Sequence, residues 1–291
     1  MKQFAAVKLC IRKGAGMSKK KKVQAKVLSQ QMIAPDIYDL WLETDLAKEA
    51  GAGQFIGVYP ADSAHLLPRP ISICEVDKKK GALRLVYRVA GAGTAQFSTW
   101  QQGQMVGILG ILGNGYPVKG DWKEQLEGSG NLVRAGEGKV VLLGGGIGIP
   151  PMVELAKELK EQGIDPVIIA GYRDQNLFLA KDLERYGRVL VATEDGSAGV
   201  KGNVLDVICQ EKMHPKVIMA CGPMPMLRAV KAYAAGEGIL AYISLEERMA
   251  CGVGACLGCV CKTAKKDSHS HVNNARICTD GPVFEAGEVE I

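Results

Sequence analysis

The chain has 291 residues, of which 47% are hydrophobic and 36 are glycine, so it is long enough for two or three domains. The glycines form no regular repeat, which excludes a collagen-like chain. The net charge of +5 comes from the first 22 residues, which carry eight basic side chains and no acidic one, and the rest has a net charge of −3. This balance argues against a basic face that binds nucleic acid.

The amino-terminal residues 1–22 are interpreted as a basic extension. Their KKKK run, Lys19 to Lys22, predicts a solvated tail rather than a binding patch. The apolar stretch from Phe4 to Ile11 is interrupted by Lys8 and is a poor secretory signal. The longest apolar run, Val140 to Val153, contains glycines and prolines and is too short for a membrane span. We therefore expect a cytoplasmic protein without a membrane segment.

Residues 23–117 carry the signals of an antiparallel β-barrel. Short apolar or alternating segments are separated by Gly, Pro, Asp or Lys clusters, namely VQAKVLSQQMI, IYDLWLETD, QFIGVYP, ISICEVD, LRLVYRV and MVGIL. A short helix is predicted within the barrel, from Thr94 to Trp100. The polar, glycine-containing residues 118–138 predict a linker or an insertion.

Residues 139–243 alternate between strand and helix patterns, which predicts crossover connections and a parallel sheet. The first strand, KVVLL, leads into LLGGGIGIPPM, where four glycines precede a helix start: Gly144, Gly145, Gly146 and Gly148. This is not the G-x-G-x-x-G fingerprint, but bare backbone at a helix start lets a pyrophosphate approach closely. A tight turn without a ligand is the alternative. The later strand ends at TEDGS and at Cys221 and Gly222 lie on the same sheet edge.

Residues 244–291 abandon this alternation for a cysteine-rich segment. Cys251, Cys256 and Cys259 follow the spacing C-x4-C-x2-C, and Cys278 comes after eighteen intervening residues. This is iron-sulfur ligand spacing, whereas a zinc site usually pairs its cysteines at both ends. We expect Cys261 to be a spectator. The four histidines have no ligand-like spacing, and the HSH run at 269–271 is interpreted as a solvated loop.

Two barrel motifs favour a flavin. In RPISI, Arg69 can neutralise a pyrophosphate and Ser72 can hydrogen-bond a flavin ring edge. In VYRVAGAGT, Gly91, Gly93 and Thr94 can offer N–H groups to a phosphate if they open a helix. Each motif is unremarkable alone, but together they predict a flavin site inside the barrel.

These motifs resemble the electron-transfer subunit of the B-type dihydroorotate dehydrogenase, which is similar to ferredoxin-NADP reductases. RPISI, VYRVAGAGT, LGNG, GGGIGIPPM, ATEDGS, CGPMPML, EERMACGVGACLGCVC and CTDGPVF occur in the family order, between about Val23 and Val289. The chain departs from the family in its basic extension, in the insertion at 118–138 and in a long loop at 262–277. The fold class expected is a flavin-binding β-barrel, a parallel-sheet nucleotide domain and a small C-terminal 2Fe-2S domain.

The resemblance implies cofactors, ligands and a partner. FAD would be held by Arg69, Pro70, Ile71, Ser72, Val86, Tyr87, Arg88, Gly93 and Thr94. A 2Fe-2S cluster would be ligated by Cys251, Cys256, Cys259 and Cys278. The partner would be an FMN-containing catalytic subunit in a heterotetramer with two subunits of each kind. Electrons would pass from FMN through the cluster and FAD to NAD, in pyrimidine biosynthesis.

Three alternatives stay open at this point. One is the small subunit of an NADPH-ferredoxin or sulfide-linked flavin reductase, and another is a redox sensor without catalytic activity. The third concerns the nucleotide, because Arg173 could take a 2′-phosphate while Asp174 could take a 2′-hydroxyl. Only the resemblance favours NAD over NADP.

Overall fold

The computed structural model describes residues 20–61, 65–119, 140–266 and 271–291. The predicted linker, apart from its first two residues, and His269 lie outside these ranges, as do the first 19 residues. Within the described residues, no helix has both the length and the apolar character that a membrane crossing requires.

Six strands close into an antiparallel barrel in the order β1-β2-β5-β4-β3-β6, as predicted. On β5, Leu83, Leu85 and Tyr87 face the barrel core, whereas Val86 faces the neighbouring sheet, because successive side chains of a strand point to opposite sides. The barrel also contains one short helix, α1 (Ala92–Phe97). The strands are β1 (Lys21–Ala34), β2 (Ile37–Glu43), β3 (Phe55–Val58), β4 (Arg69–Asp77), β5 (Ala82–Arg88) and β6 (Met105–Leu112).

Lys21 and Lys22 belong to β1, so the prediction of a tail is wrong there, although both side chains are exposed to solvent as predicted. Lys21 and Lys22 pair with Gly110 and Leu109 of β6, and the Lys22 amine lies 4.1 Å from the centroid of the Tyr59 ring. The Lys20 amine donates to the Cys278 carbonyl, 3.3 Å away. Strand pairing uses backbone groups, which every residue except proline supplies whatever its charge. Closure of the barrel therefore extends β1 into the basic run.

The second layer is a seven-stranded sheet in the order β10-β9-β8-β7-β11-β12-β15. Its first six strands are parallel, as predicted, and β15 pairs antiparallel with β12. The strands are β7 (Val140–Gly145), β8 (Val167–Tyr172), β9 (Arg188–Thr193), β10 (Val200–Lys201), β11 (Val217–Cys221), β12 (Leu240–Ser244) and β15 (Val283–Glu285). The helices are α2 (Pro150–Glu161), α3 (Ala180–Glu184), α4 (Val204–Gln210) and α5 (Met224–Glu237).

The cysteine-rich segment adds a small sheet of its own. Its three strands, in the order β14-β13-β16, are β13 (Val260–Thr263), β14 (Asn274–Arg276) and β16 (Val289–Glu290). The predicted loop at 262–277 is thus partly a hairpin. Because β15 from the same segment joins the large sheet, the segment packs against the α/β core. The domain boundaries at 22, 117, 138 and 243 stay predictions.

A buried guanidinium joins the barrel to the parallel sheet. Arg84 of β5 donates to both carboxylate oxygens of Asp39, at 3.0 and 2.8 Å, and to Glu75 at 3.2 Å. It also donates to Asp182 of α3, at 2.6 Å, across the boundary between the two layers. One cation therefore neutralises carboxylates from β2, β4 and α3.

Helix α2 makes a second set of contacts with the barrel. Glu154 accepts from the Val76 N–H at 2.8 Å, and Lys157 donates to the Val76 carbonyl at 2.6 Å. Glu158 accepts from the Ala52 N–H at 2.9 Å. Burial raises the pKa of Glu154, although the charge of Lys157 works against this shift. The helix that follows the glycine loop is thus bonded directly to barrel strands.

Replacing Arg84 by methionine should destabilise the protein by about 3 to 5 kcal/mol, because three carboxylates would lose their buried counter-charge. Urea unfolding of the purified chain measures this loss. The control is Arg188→Met, which breaks the exposed pair with Glu211 (2.8 Å) and should cost less than about 1 kcal/mol. Equal losses in the two variants would contradict the role given to Arg84.

Candidate functional site

A cavity of about 490 Å³ lies between the barrel and the carboxyl ends of the parallel strands. The sheet contributes residues that follow β7, β8, β9 and β11, and the barrel contributes the turn after β1 and the end of β5. Ligands of open α/β sheets bind at this edge. The lining includes Asp36, Arg88, Gly145, Gly146, Arg173, Asp174, Glu194 and Met226.

The predicted glycine loop packs too closely for side chains at several positions. A Cβ atom on Gly148 would collide with the Cys221 carbonyl, and one on Gly145 would lie 2.5 Å from the Met226 sulfur. A Cβ on Gly144 would lie 3.0 Å from the Ile149 Cα, and Gly146 has a φ of +52°. The structure thus places the four predicted glycines beside Cys221 and Gly222. Gly145 and Gly222 both lie against the side chain of Met226.

The start of α2 offers few N–H donors. Pro150 and Pro151 have none, and the Met152 N–H already donates to the Ile149 carbonyl at 3.0 Å. A phosphate at this edge would therefore meet the bare backbone of the glycine loop before it met helix N–H groups.

On the barrel side, the guanidinium of Arg69 lies against the start of α1. A Cβ atom on Gly93 would be 2.7 Å from the Arg69 Nε, so a side chain at this position would displace the guanidinium. The Thr94 hydroxyl accepts from the N–H groups of Ala90 and Gly91, at 2.9 and 3.2 Å. Arg69, Gly93 and Thr94, predicted from separate motifs, are therefore neighbours, and Pro70, Ile71 and Ser72 follow Arg69 along half-buried positions of β4.

At the end of β5, the three predicted residues have different surroundings. Tyr87 is buried in the barrel core, where its hydroxyl donates to Gln30 at 3.0 Å and its ring stacks on Tyr38. The Val86 side chain is buried between barrel and sheet. From these two residues, only backbone atoms can contact a ligand. Arg88 is exposed and reaches the cavity, with its Nη2 3.7 Å from the Cβ position of Gly146.

The thiol of Cys221 is buried at the carboxyl edge of the sheet. Burial is the main cause that raises its pKa to about 12, and the negative charge of Glu246 adds to the shift. Next to it, the Tyr116 hydroxyl donates to the Ala220 carbonyl at 2.8 Å. Sequence reasoning missed Tyr116, although it directly follows the LGNG motif. A neutral thiol and a buried tyrosine thus border the glycine loop.

The first two cysteines of the C-terminal segment form one pair. The Cys251 sulfur accepts from the N–H groups of Val253 and Cys256, each at 3.4 Å, and the Cys256 sulfur accepts from the Gly258 N–H at 3.4 Å. Burial opposes ionisation of Cys251, yet these N–H groups outweigh it and lower the pKa of the thiol to about 6. Gly252 and Gly254 have φ values of +68° and +84°, which glycine adopts without strain.

Cys259 and Cys278 form a second, buried pair. Burial raises the pKa of Cys278 to about 11, with further contributions from Cys259, whereas the Gly254 N–H and Lys20 lower it. Cys261 belongs to neither pair, because it lies on β13 opposite Ala275 of β14. Within the described ranges, no group of three or more His, Cys, Asp or Glu side chains is arranged to hold a metal ion.

The cysteine segment nevertheless fits an iron-sulfur cluster in its chemistry. Four thiols and no competing histidine or carboxylate come from the predicted ligand positions, and backbone N–H groups already point at two of the sulfurs. Thiolate ligands with N–H hydrogen bonds to sulfur are typical of such clusters. The fit therefore rests on the four thiols and on the N–H groups directed at two of their sulfurs, and the four sulfurs do not surround one point.

Two side chains that sequence reasoning did not single out hold this segment in place. The Asn114 amide donates to the carbonyls of Thr279 and Asp280, at 3.0 and 3.1 Å. Arg276 donates to the Gly254 carbonyl at 3.3 Å and to both carboxylate oxygens of Asp280. In the sequence, the LGNG motif could have indicated Asn114, and the i, i+4 spacing of Arg276 and Asp280 could have indicated their ion pair. The cysteines are thus fixed to the end of β6, beside the barrel.

The barrel and the parallel sheet form the fold of the ferredoxin-NADP reductases. A solved NADH-dependent reduced ferredoxin-NADP oxidoreductase is similar to this chain with a TM-score of 0.77 and 26% identity, over 91% of this chain and 89% of that one. A ferredoxin NADP+ reductase from Neisseria gonorrhoeae, solved with FAD and NADP, has a TM-score of 0.59 and 17% identity, over 78% and 94%. The second likeness concerns the fold alone.

Sequence relatives identify the family more closely. The electron transfer subunit of dihydroorotate dehydrogenase B (NAD(+)) from Streptococcus pneumoniae (strain ATCC BAA-255 / R6) is 42% identical, over 91% of this chain and 96% of the relative. The same subunit from Geobacillus thermodenitrificans is 41% identical, over 90% and 96%. Residues 246–290 match the family described as the iron-sulfur cluster binding domain of dihydroorotate dehydrogenase B. The chain belongs to the family of dihydroorotate dehydrogenase B electron transfer subunits, as the motifs predicted.

Replacing Gly148 by alanine should destabilise the protein by about 1 to 3 kcal/mol, because the new methyl group would meet backbone atoms of Cys221 and Gly222, which cannot move aside. Chemical denaturation measures the change. Gly236→Ala is the matched control, since Gly236 lies in α5 with nothing within 4 Å of its Cβ position. That control should gain about 0.5 to 1 kcal/mol. A tolerated Gly148→Ala would refute the close packing of loop and strand.

Proposed function

We propose that this chain is the electron transfer subunit of an NAD-dependent dihydroorotate dehydrogenase, acting in pyrimidine biosynthesis. The observation that carries the proposal is the position of the cysteine segment. Asn114 holds this segment against the end of β6, and Arg276 connects its parts internally. One chain thereby sets four thiols beside a flavin-type barrel, and the barrel beside a nucleotide-type crevice. Such an arrangement can link a two-electron carrier to a one-electron carrier.

FAD, when bound, would supply hydride exchange with a nicotinamide and single-electron exchange with a cluster. Arg69 would neutralise its pyrophosphate, and Gly93 would leave room for that guanidinium beside α1. The half-buried residues Pro70, Ile71 and Ser72 would line its ring system. Val86 and Tyr87 would contribute backbone atoms only, while the Arg88 side chain would reach into the crevice.

A 2Fe-2S cluster, when bound, would supply one-electron transfer. Cys251, Cys256, Cys259 and Cys278 would ligate it, with N–H groups of the 251–258 loop directed at the sulfurs. Gly252 lies against Leu109 and Leu112 of β6, so the loop packs directly on the barrel. Cys261 would not be a ligand, because its strand register sets it apart from both cysteine pairs.

NAD would bind at the carboxyl edge of the sheet. Gly144, Gly145, Gly146 and Gly148 would let the nucleotide approach, and Cys221 and Gly222 would form the adjacent wall. Both Arg173 and Asp174 line the cavity. One carboxylate oxygen of Asp174 accepts hydrogen bonds from the backbone N–H and from the side-chain amide of Asn176. The relatives carry NAD(+) in their names, which supports NAD rather than NADP.

The partner would be an FMN-containing catalytic subunit, with two subunits of each kind forming a heterotetramer in the cytoplasm. Support comes from the relatives, which are named electron transfer subunits. Support also comes from exposed apolar side chains around the cysteines, among them Val253 and Leu257, which are 41% and 62% exposed. Apolar side chains exposed in one region are typical of protein contact sites. Electrons would enter through this face and leave at the nucleotide crevice.

One alternative function has structural support. The likeness to an NADH-dependent reduced ferredoxin-NADP oxidoreductase extends over 91% of the chain, which favours a ferredoxin-linked reductase as the second candidate. The two functions differ in the protein that delivers electrons. If the chain co-purifies with an FMN protein that oxidises dihydroorotate, the first function holds. Exchange of electrons with ferredoxin, and none with such a partner, would favour the second.

Arg69→Ala should weaken FAD binding about tenfold to a hundredfold, because a charge-assisted contact to a phosphate contributes about 1.5 to 3 kcal/mol. Flavin content after purification and titration of the apoprotein with FAD measure the effect. Arg188→Ala serves as the control, since Arg188 lies on an exposed strand end and pairs with Glu211. Unchanged FAD affinity in Arg69→Ala would show that the RPIS motif does not bind the pyrophosphate.

The coupled reaction tests whether dihydroorotate oxidation takes place on the FMN subunit and electron exchange with NAD on this chain. The isolated chain should oxidise NADH with a dye as acceptor but should form no orotate, and addition of the FMN subunit should give NAD-dependent orotate formation. Cys256→Ser should abolish the coupled reaction and remove the visible absorption of the cluster, while sparing NADH oxidation by bound FAD. Cys261→Ser is the matched control and should retain both. Dihydroorotate oxidation by the isolated chain would refute the proposal.

A further inference from the structure

Lys20 joins the start of the barrel to the backbone of a predicted cluster ligand. It directly precedes β1, whose first residues pair with the end of β6. Its amine donates to the Cys278 carbonyl at 3.3 Å, a half-buried contact between residues 258 positions apart. The strand pairing of Lys21 and Lys22 therefore fixes the amine of Lys20 beside the cysteine segment.

Two cations contact the cysteine segment, and they differ in their charge balance. Arg276 binds both carboxylate oxygens of Asp280, at 3.0 and 3.2 Å, so its charge is locally neutralised. Lys20 forms no ion pair with any carboxylate among the residues that the structure describes. Its contact is the neutral backbone carbonyl of Cys278, so its charge lies beside this predicted ligand. Lys20 thus brings an uncompensated positive charge to this site.

We propose that Lys20 raises the reduction potential of the cluster that Cys278 ligates. This inference rests on the proposed function, because it requires the cluster to be present. A cluster with four thiolate ligands is anionic, and an added electron makes it more so. A nearby cation in a half-buried position stabilises the reduced form more than the oxidised form. Net charge around the cluster is one of the factors that set its potential.

The neighbouring lysine supplies a control. Lys21, the first residue of β1, has an exposed side chain, whereas Lys20 is half-buried and contacts Cys278. Exposed charges are weakened by solvent and salt, whereas half-buried ones are weakened less. The inference therefore predicts different effects for two adjacent residues of the same type.

The experiment is a redox titration of the full-length chain, followed by the electron paramagnetic resonance signal of the reduced cluster. The variants are Lys20→Gln, Lys20→Arg and Lys21→Gln. At the potential that reduces half of the wild-type clusters, the ratio of reduced to oxidised cluster should fall about threefold to tenfold in Lys20→Gln. Lys20→Arg should retain the wild-type ratio, and Lys21→Gln should change it less than twofold. High salt should narrow the difference between wild type and Lys20→Gln.

Two results would overturn the inference while leaving the proposed function intact. One is a wild-type midpoint in Lys20→Gln with full iron content, and the other is an equal shift in Lys21→Gln. Loss of the cluster from Lys20→Gln, with retention in Lys20→Arg, would assign Lys20 to cluster retention and would also overturn it. A wild-type protein without iron or a reduced-cluster signal would instead contradict the proposed function itself.

Discussion

The buried charge network around Arg84 is the interaction on which the nucleotide crevice depends. A guanidinium in the interior is stable only if its charge is matched, and Arg84 is matched by Asp39 and Glu75 from the barrel and by Asp182 from the sheet layer. Because Asp182 belongs to α3, the network forms only when the two layers are correctly docked. The width of the crevice between β5 and the glycine loop thus depends on ion pairs that lie outside the crevice.

Helix α2 fixes the glycine loop relative to the barrel. The loop leads directly into α2, and three side chains of α2 bond to the backbone at Val76 and Ala52. The position of the loop relative to the barrel is therefore held by hydrogen bonds as well as by apolar packing. These hydrogen bonds would therefore set the distance between a flavin on the barrel and a nucleotide on the sheet.

A second junction sets the cysteines beside the barrel by a different means. It uses strand pairing at the start of β1, the amide of Asn114 and apolar contact between Gly252 and β6, instead of a buried charge network. The barrel consequently contacts both the parallel sheet and the cysteine segment, and these two also contact each other through β15. The same junction brings Lys20 to Cys278, so the contact that closes the barrel also supplies a charge to the proposed cluster.

Local patterns in the chain were enough to predict the barrel, the parallel sheet, the glycine loop and the four-cysteine segment. Strand alternation, glycines after a buried strand and the spacing of the first three cysteines are features of short stretches of chain, and each reflects a local constraint. The resemblance of the motifs also predicted the family. The neighbourhood of Arg69, Gly93 and Thr94 could be anticipated because all three belong to motifs typical of phosphate binding.

Tertiary structure decided everything that depends on which segments meet. The sequence shows Arg84, Asp182 and Asn114 as ordinary polar residues. Apart from Glu75, nine positions from Arg84, the partners described above lie from 45 to 166 positions away. It shows Tyr87 inside a cofactor motif, yet the strand register turns its ring into the core. It shows the lysine run as a solvated tail, whereas the free edge of β6 pairs with its backbone regardless of charge. Charge and spacing are properties of the chain, but burial and pairing are properties of the fold.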